Sequence, residues 1–110
     1  MKAPIIVIPF LSYAGMALFP VILVQNKASK SDRALIRHET IHLMQQRELL
    51  VIPFYVLYSL HYLLNLFLYG NHDQAYRAIV FEKEAYQYDG DESYLNNRST
   101  WAWVKCFRNK

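Results

Sequence analysis

The pentapeptide His38-Glu39-Thr40-Ile41-His42 is the feature that most constrains how this chain can fold. Its two histidines are four residues apart, and residues at that spacing on an α-helix point the same way, one turn apart. Both imidazoles can then share one metal ion, while the Glu39 carboxylate reaches a metal-bound water rather than the metal. Because so short a pattern also occurs by chance on amphipathic helices, other parts of a metal site are needed to support this interpretation.

The sequence around this pentapeptide, written HExxH below, predicts a long helix. Ser31 or Asp32 can cap its N-terminus, and residues 33–50 contain no glycine or proline and many good helix formers. Pro53 then marks either a break or the start of a new helix. Both histidines are therefore expected on one face of a single helix.

A catalytic zinc site usually has three protein ligands and an open position for water, so a third ligand is required. Glu48 is on the same helix but six residues past His42, well off the histidine face. Residues 73–89 predict a second helix, which carries Glu82 and Glu84. These two carboxylates point about 200° apart, so only one of them can face the HExxH helix.

Glu82 is the better candidate for the third ligand, because its helix face carries mainly small or apolar residues that allow a close approach: Ala75, Ala78, Ile79, Ala85 and Tyr86. Glu84 shares its face with a more polar set that includes Asp73 and Arg77, an i,i+4 pair suited to a solvated surface. We therefore predict that Glu82 binds the metal and that Glu84 is a surface residue or orients a histidine. Glu84 also stays open as the alternative ligand.

The pattern His38-Glu39-x-x-His42, followed by Phe81-Glu82-Lys83-Glu84-Ala85-Tyr86, resembles the gluzincin class of zinc metallopeptidases. In those enzymes a glutamate on a later helix completes the HExxH site. The second stretch looks like the Glu-x-x-Ala-Asp signature of the membrane prenyl-protein peptidases, with Tyr86 at the position of the aspartate. That aspartate supports the metal site in the family, so this resemblance implies the three ligands but leaves open what supports them here.

Most of the chain also resembles a group of short bacterial proteins without a defined function, which share further motifs here represented by Gln45-Gln46, Pro53-Phe54-Tyr55 and Ala75-Tyr76-Arg77. The closest architectural label is a minigluzincin, a minimal zincin-like domain. The order of predicted strands and helices indicates an α+β fold in which a small N-terminal sheet packs on three to four helices. The length of the chain, residues 1–110, is that of one domain.

Two runs rich in β-branched residues, 5–8 and 21–24, predict strands of a hairpin-like sheet, separated by residues 11–19. In zincins a strand beside the cleft pairs with extended substrate, and residues 21–25 suit that role. Three helices should follow: the HExxH helix, a hydrophobic helix and the Glu82 helix. A short C-terminal helix is expected from about Ser99.

Hydrophobic residues make up 54% of the chain, which is high for a soluble domain. Residues 3–24 are interrupted by three prolines, whereas residues 49–69 approach the length of a membrane span and contain tyrosines that favour an interface. His61 and Asn65 lie one turn apart inside the second stretch and are costly in lipid unless paired. A buried core helix, with His61 as a satisfied core histidine, and a helix at a membrane surface fit equally well, so a cytoplasmic or a membrane-associated protein is expected.

The remaining composition limits the classes of partner. A net charge of +3 is mild and its basic residues are spread out, so we expect no nucleic-acid partner. Cys106 is the only cysteine, which excludes an internal disulfide and favours a structural thiol. A homo-oligomer stays open.

We therefore expect a zinc-dependent hydrolase that cleaves a peptide or protein substrate, with Zn2+ bound by His38, His42 and Glu82 and with Glu39 as general base. Tyr86, one turn beyond Glu82, is the first candidate to stabilise the oxyanion, followed by Tyr76, His72 and Tyr88. The alternatives are an inactive protein of zincin-like fold and a small membrane-associated protein whose residues 49–69 dock a partner helix. Glu39 favours catalysis, because a purely structural metal site needs no base.

Overall fold

The computed structural model describes residues 3–107 and shows an α+β protein. Three short strands come first, β1 (Ile5–Val7), β2 (Gly15–Leu18) and β3 (Val21–Val24), followed by a 3-10 helix at Lys27–Ser31. The helices are α1 (Arg33–Leu49), α2 (Val51–Tyr69), α3 (His72–Arg77), α4 (Val80–Tyr88), α5 (Tyr94–Asn97) and a terminal 3-10 helix at Ala102–Phe107. The predicted α+β class is confirmed, whereas the ends of the predicted domain, residues 1–2 and 108–110, lie outside the described residues.

The sheet has the order β1-β3-β2, with β3 parallel to β1 and antiparallel to β2. The strands predicted at 5–8 and 21–24 are present, but the prediction that residues 11–19 only connect them was wrong, because β2 lies there. Its sequence Gly-Met-Ala-Leu has no β-branched residue, so propensity gives little signal for it. The prediction that β3 borders the cleft was also wrong, since β3 is the central strand and has a neighbour on each side, whereas β2 is at an edge of the sheet.

Helix α1 begins where one of the two predicted caps lies, with the Asp32 carboxylate accepting a hydrogen bond from the Leu35 N–H at 3.1 Å. It continues without interruption to Leu49. The chain then turns at Leu50, whose φ of 68° lies in the left-handed region that non-glycine residues seldom adopt. Pro53 falls in the first turn of α2, where its missing N–H costs no helical hydrogen bond.

The single helix predicted over residues 73–89 was wrong, because the structure divides it into α3 and α4 at Ala78 and Ile79. Ile79 has extended backbone angles, φ −59° and ψ 130°. The N–H of Val80 donates to Nδ1 of His61 on α2 at 3.1 Å, which satisfies the start of α4 from a distant side chain. His61 is therefore a hydrogen-bonded structural histidine, as expected.

The buried apolar residues form two hydrophobic clusters. One joins the sheet to α1 and contains Ala17, Ile22, Val24 and Leu43. The other joins α2, α4 and the terminal 3-10 helix and contains Phe54, Ile79, Val80, Phe81, Trp103 and Cys106. Buried Cys106 is thus part of a core, and the predicted C-terminal helix is the 3-10 helix that begins at Ala102, slightly later than expected.

Helix α2 is unusual because most of its apolar side chains are exposed. Phe54 and Asn65 are its only buried residues within the described part of the chain. Among residues 3–107, α2 is also the one helix that is long and apolar enough to cross a membrane, by length and composition alone. The alternative of a buried core helix for residues 49–69 was therefore wrong.

Candidate metal centre

Helices α1 and α4 bring together the three predicted metal ligands, His38, His42 and Glu82. The Nε2 atoms of His38 and His42 lie 3.0 Å and 3.1 Å from the same oxygen, Oε1 of Glu82. One donor atom from each residue lies within 4.8 Å of the other two, and all three side chains are buried. The three residues predicted to lie together therefore do so, and their assignment as metal ligands stays a prediction.

Each imidazole is oriented by an acceptor on its other nitrogen. Nδ1 of His38 lies 3.1 Å from Oδ2 of Asp89, and Nδ1 of His42 lies 2.8 Å from Oε1 of Gln45. Because both partners are acceptors, Nδ1 of each ring carries a proton, which leaves Nε2 to face the shared site. The resembled signature has a supporting aspartate at the position of Tyr86. In this chain Asp89, three residues later, contacts His38 instead.

Gln45 is fixed in turn by Glu84. Its Nε2 donates to Oε1 of Glu84 at 2.9 Å and to the Phe81 carbonyl at 3.1 Å, which directs Oε1 of Gln45 to His42. The prediction that Glu84 lies on the surface was therefore wrong, because its side chain is completely buried. The other prediction for Glu84, that it orients a histidine, fits this chain of contacts.

Glu84 can be buried because Arg98 compensates its charge. The guanidinium of Arg98 contacts Glu84 at 2.6 Å and 3.0 Å, and it contacts Glu48 at 2.9 Å and 3.1 Å. Only 1% of the Arg98 side chain is exposed. The polar pair expected on the same helix face, Asp73 and Arg77, is indeed exposed, with 3.5 Å between its charged atoms.

Glu82 is held as a carboxylate by its neighbours. Burial alone would raise its pKa, but His42, His38 and the Tyr58 hydroxyl outweigh that effect and hold the pKa well below its usual value. The Tyr58 hydroxyl donates to Oε2 at 2.5 Å, which leaves Oε1 for the histidines. Burial alone would likewise lower the pKa of His42, but the Glu82 carboxylate raises it to about 9.

Tyr58 was missed by sequence reasoning. A signal was present, since Tyr58, His61, Tyr62 and Asn65 form a stripe of polar residues three to four apart in an otherwise apolar helix. That spacing marks the side of α2 that contacts the rest of the protein. It could not identify the partner of Tyr58, because Glu82 lies on another helix.

The predicted general base, Glu39, lies beside the ligand cluster. Burial raises the pKa of its carboxyl group, an effect that His42 and His38 partly oppose, and the backbone N–H of Ala17 donates to it. Strand β2 approaches closely because residue 15 is glycine. A Cβ at Gly15 would lie 3.1 Å from Cδ1 of Leu35 and 3.4 Å from Cγ of Glu39.

The centre opens into a cavity of about 930 Å³, a size typical of ligand sites. Its wall includes β2 residues 15–17, the three candidate ligands and Glu39, and its tyrosines are Tyr13, Tyr55, Tyr58, Tyr62, Tyr76 and Tyr86. Tyr86 packs edge-on against His38 with 4.7 Å between ring centroids and is 39% exposed. The predicted oxyanion donor therefore borders both the centre and solvent.

The weaker candidates differ in position. Tyr76 and His72 also line the cavity, and Nδ1 of His72 contacts the Tyr62 hydroxyl at 2.8 Å. Tyr88 does not line this cavity, because it stacks on Tyr94 with 3.9 Å between ring centroids. Tyr88 was therefore a wrong candidate for the oxyanion.

Comparisons of this chain with protein-family models, with curated proteins and with solved structures give no match. The chemistry of the centre is consequently judged from its own donors. Two imidazole nitrogens and one carboxylate oxygen suit zinc and several other divalent first-row metals. The buried, oriented donors around one shared point fit a metal ion, and the donor set by itself does not select zinc.

Proposed function

We propose that this protein is a zinc-dependent metallopeptidase of minimal zincin-like (minigluzincin) architecture. The observation that carries the proposal is the buried His38, His42 and Glu82 cluster with Glu39 beside it, open to a cavity of about 930 Å³. A structural metal site is normally closed by four protein ligands, whereas three ligands next to a cavity suit catalysis. Zinc at these residues would supply Lewis acidity and lower the pKa of a water molecule.

Glu39 acts as the general base in this proposal. Burial raises the pKa of Glu39 towards neutral pH, and a base with such a pKa can both accept a proton and return it. It accepts a proton from the attacking water and passes it to the leaving amine. The hydrogen bond from Ala17 N–H holds its carboxylate in place.

Tyr86 donates a hydrogen bond to the developing oxyanion. Burial raises its pKa, and the Glu82 carboxylate raises it further, so the phenol keeps its proton at neutral pH. Tyr58 is not free for this role because it already donates to Glu82. Tyr76 also lines the cavity, but its hydroxyl is hydrogen-bonded to Glu82 and Tyr86, so Tyr86 is the better donor.

An extended peptide substrate adds to the edge of β2 over a short stretch. In an antiparallel pair, every second residue of the edge strand directs its N–H and C=O away from the partner strand. Gly15, which pairs with Val24, and Ala17, which pairs with Ile22, are the residues of β2 whose main-chain groups point to the free edge. The main-chain groups of Ala17 already have hydrogen-bond partners. Its carbonyl accepts from Tyr55 at 2.6 Å and from Gln46 at 3.0 Å, and its N–H donates to Glu39. Substrate pairing therefore centres on Gly15, and the tyrosines of the cavity contact the remaining substrate residues.

The test compares wild type with Glu39→Gln, and with Glu92→Gln as the matched control on an exposed glutamate. Metal content is measured after purification without added zinc, and cleavage is followed on a broad peptide library. We expect about one zinc per chain in all three proteins and a loss of at least about 100-fold in cleavage only for Glu39→Gln. Metal without cleavage in wild type would favour the inactive zincin-like alternative, and absence of metal would overturn the proposal.

A further inference from the structure

Helix α2 presents a continuous apolar surface, called the outer face of α2 below. Phe67 is 87% exposed and Ile52 is 76% exposed, near opposite ends of the helix. The other large apolar residues of the outer face follow a spacing of three or four residues, which keeps them on one side of the helix. They are Val56, Leu57, Leu60, Leu63, Leu64 and Leu68. A stripe of this length along a helix of 19 residues is far more than the scattered apolar residues of an ordinary protein surface.

The polar side chains of α2 are nearly all used on the inner side. His61 accepts from Val80 N–H, Asn65 donates to the Ala75 carbonyl at 3.2 Å, and Tyr55, Tyr58 and Tyr62 are hydrogen-bonded to other elements. Among the polar side chains of the helix, Ser59 and Tyr69 are exposed. The helix contains no charged residue. The outer face is therefore suited to contact with lipid, where polar groups must find hydrogen-bond partners within the protein.

The apolar surface continues beyond α2 onto the terminal 3-10 helix. The ring of Phe107, which is 60% exposed, lies 5.8 Å from the ring of His61, and Val104 of the same helix is also exposed. Lys105 of the same 3-10 helix is also exposed, and Lys83 of α4 is close enough to His61 to lower the pKa of that histidine, after the larger effect of burial. Cations beside an apolar stripe on a chain of net charge +3 are typical of proteins that bind anionic lipid surfaces.

We propose that α2 lies in the plane of an anionic membrane surface, with its outer face among the lipid acyl chains and the metal centre on the side facing water. The inner side of α2 rules out a span surrounded by lipid, because side chains from Phe54 to Asn65 contact the rest of the protein along the helix. The net charge of +3 attracts an anionic surface and repels a second copy of the chain, which favours lipid over self-association.

The chain offers a matched pair of variants for the test. Phe67 on the outer face and Phe10 in the loop after β1 are each 87% exposed, so Phe67→Glu and Phe10→Glu make the same change at the same exposure. The full chain is floated with vesicles of phosphatidylcholine and with vesicles of phosphatidylcholine mixed with phosphatidylserine. Thermal unfolding of each variant confirms that the fold is kept, since neither residue is buried.

We expect wild type and Phe10→Glu to float with the anionic vesicles and Phe67→Glu to lose about tenfold or more in partitioning. Added salt should weaken the binding of wild type, because part of the attraction is electrostatic. Equal binding of the two variants would overturn the proposal, as would self-association of wild type without vesicle binding. Resistance of the vesicle-bound protein to carbonate extraction would overturn the in-plane arrangement in favour of a span.

Discussion

A single carboxylate organises the centre at the scale of residues. Oε1 of Glu82 meets both histidines and Oε2 accepts from Tyr58, so both carboxylate oxygens have hydrogen-bond partners. In the metal-free protein a proton on His42 balances the charge of Glu82. A metal ion bound at this cluster would compete with this proton for the same nitrogen, and metal binding would then depend on pH.

The stability of the metal-free protein should fall as pH rises from about 6.5 to about 9. The pKa of His42 is raised from 6.5 to about 9 in the folded state, so its protonation stabilises the fold fully below 6.5 and that stabilisation is lost as pH approaches 9. Thermal midpoints of chelator-treated protein across this range measure the effect. His42→Gln should flatten the profile, and an unchanged slope in this variant would contradict the assignment.

Replacing Tyr58 with Phe should weaken metal binding by about tenfold while leaving the fold intact. The variant keeps the ring but removes the hydrogen bond that fixes Glu82, and such supporting contacts typically contribute 10- to 100-fold in metal affinity. Competition with a chromophoric chelator gives the dissociation constant. Tyr55→Phe is the control, because its hydroxyl contacts the Ala17 carbonyl rather than Glu82. Equal affinities in the two variants would refute the role of Tyr58.

At the scale of elements, the C-terminal segment is fastened to α1 and α4 through Arg98. This cation lies between Glu48 of α1 and Glu84 of α4, and Glu48 also accepts from the Trp101 N–H at 2.8 Å. Through Glu84 and Gln45 the same contacts reach His42. The spacing of α1 and α4, on which the cluster of His38, His42 and Glu82 depends, is therefore coupled to the C-terminal segment.

Arg98→Met should destabilise the fold by about 3–5 kcal/mol, because it leaves two buried carboxylates without their cation. Denaturant unfolding measures the free energy. Arg33→Met removes a cation whose side chain is 83% exposed and whose pair with Glu92 should contribute at most about 1 kcal/mol. A similar small loss in both variants would show that the Arg98 contacts are not important for stability.

Gly15→Ala should displace β2 from α1. The added Cβ would lie 3.1 Å from Leu35 and 3.4 Å from Glu39, so either the strand or these side chains must shift, at a cost of about 1–3 kcal/mol. We expect cleavage of peptides to fall more than stability, because Glu39 and the substrate edge move together. Gly90→Ala is the control, since nothing lies within 4 Å of its added Cβ. Identical behaviour of the two variants would contradict the close approach.

Local signals in the sequence predicted α1, its Asp32 cap and the relative positions of His38, His42 and Glu82, because helical spacing fixes which side chains share a face. They failed where distant residues decide the structure. The break before Val80 is stabilised by His61, and Glu84 is buried because Arg98 neutralises it. Neither partner can be identified from the local pattern around the residue concerned.

At the scale of the whole molecule, the α+β class followed from the hydrophobic pattern, whereas the strand order did not. The strands β1 and β3 pair in parallel, and the chain between them forms β2 on the far side of β3. Strands of three or four residues contain too few positions to specify such an arrangement by alternation alone. The exposed outer face of α2 was likewise undecided, because an apolar helix reads the same in a core and at a membrane.

The inner and outer sides of α2 together fix the distance between the candidate metal centre and the outer face. Tyr58 on its inner side touches Glu82, while Leu60 on its outer side is exposed, so the metal centre lies about one helix diameter, roughly 10 Å, from the outer face. An extended chain advances about 3.3 Å per residue. With α2 lying on a bilayer, the bond brought to Glu39 in a lipid-anchored substrate would sit some three to four residues from the membrane. The fold would then act as a molecular ruler that selects cleavage points by their height above the lipid.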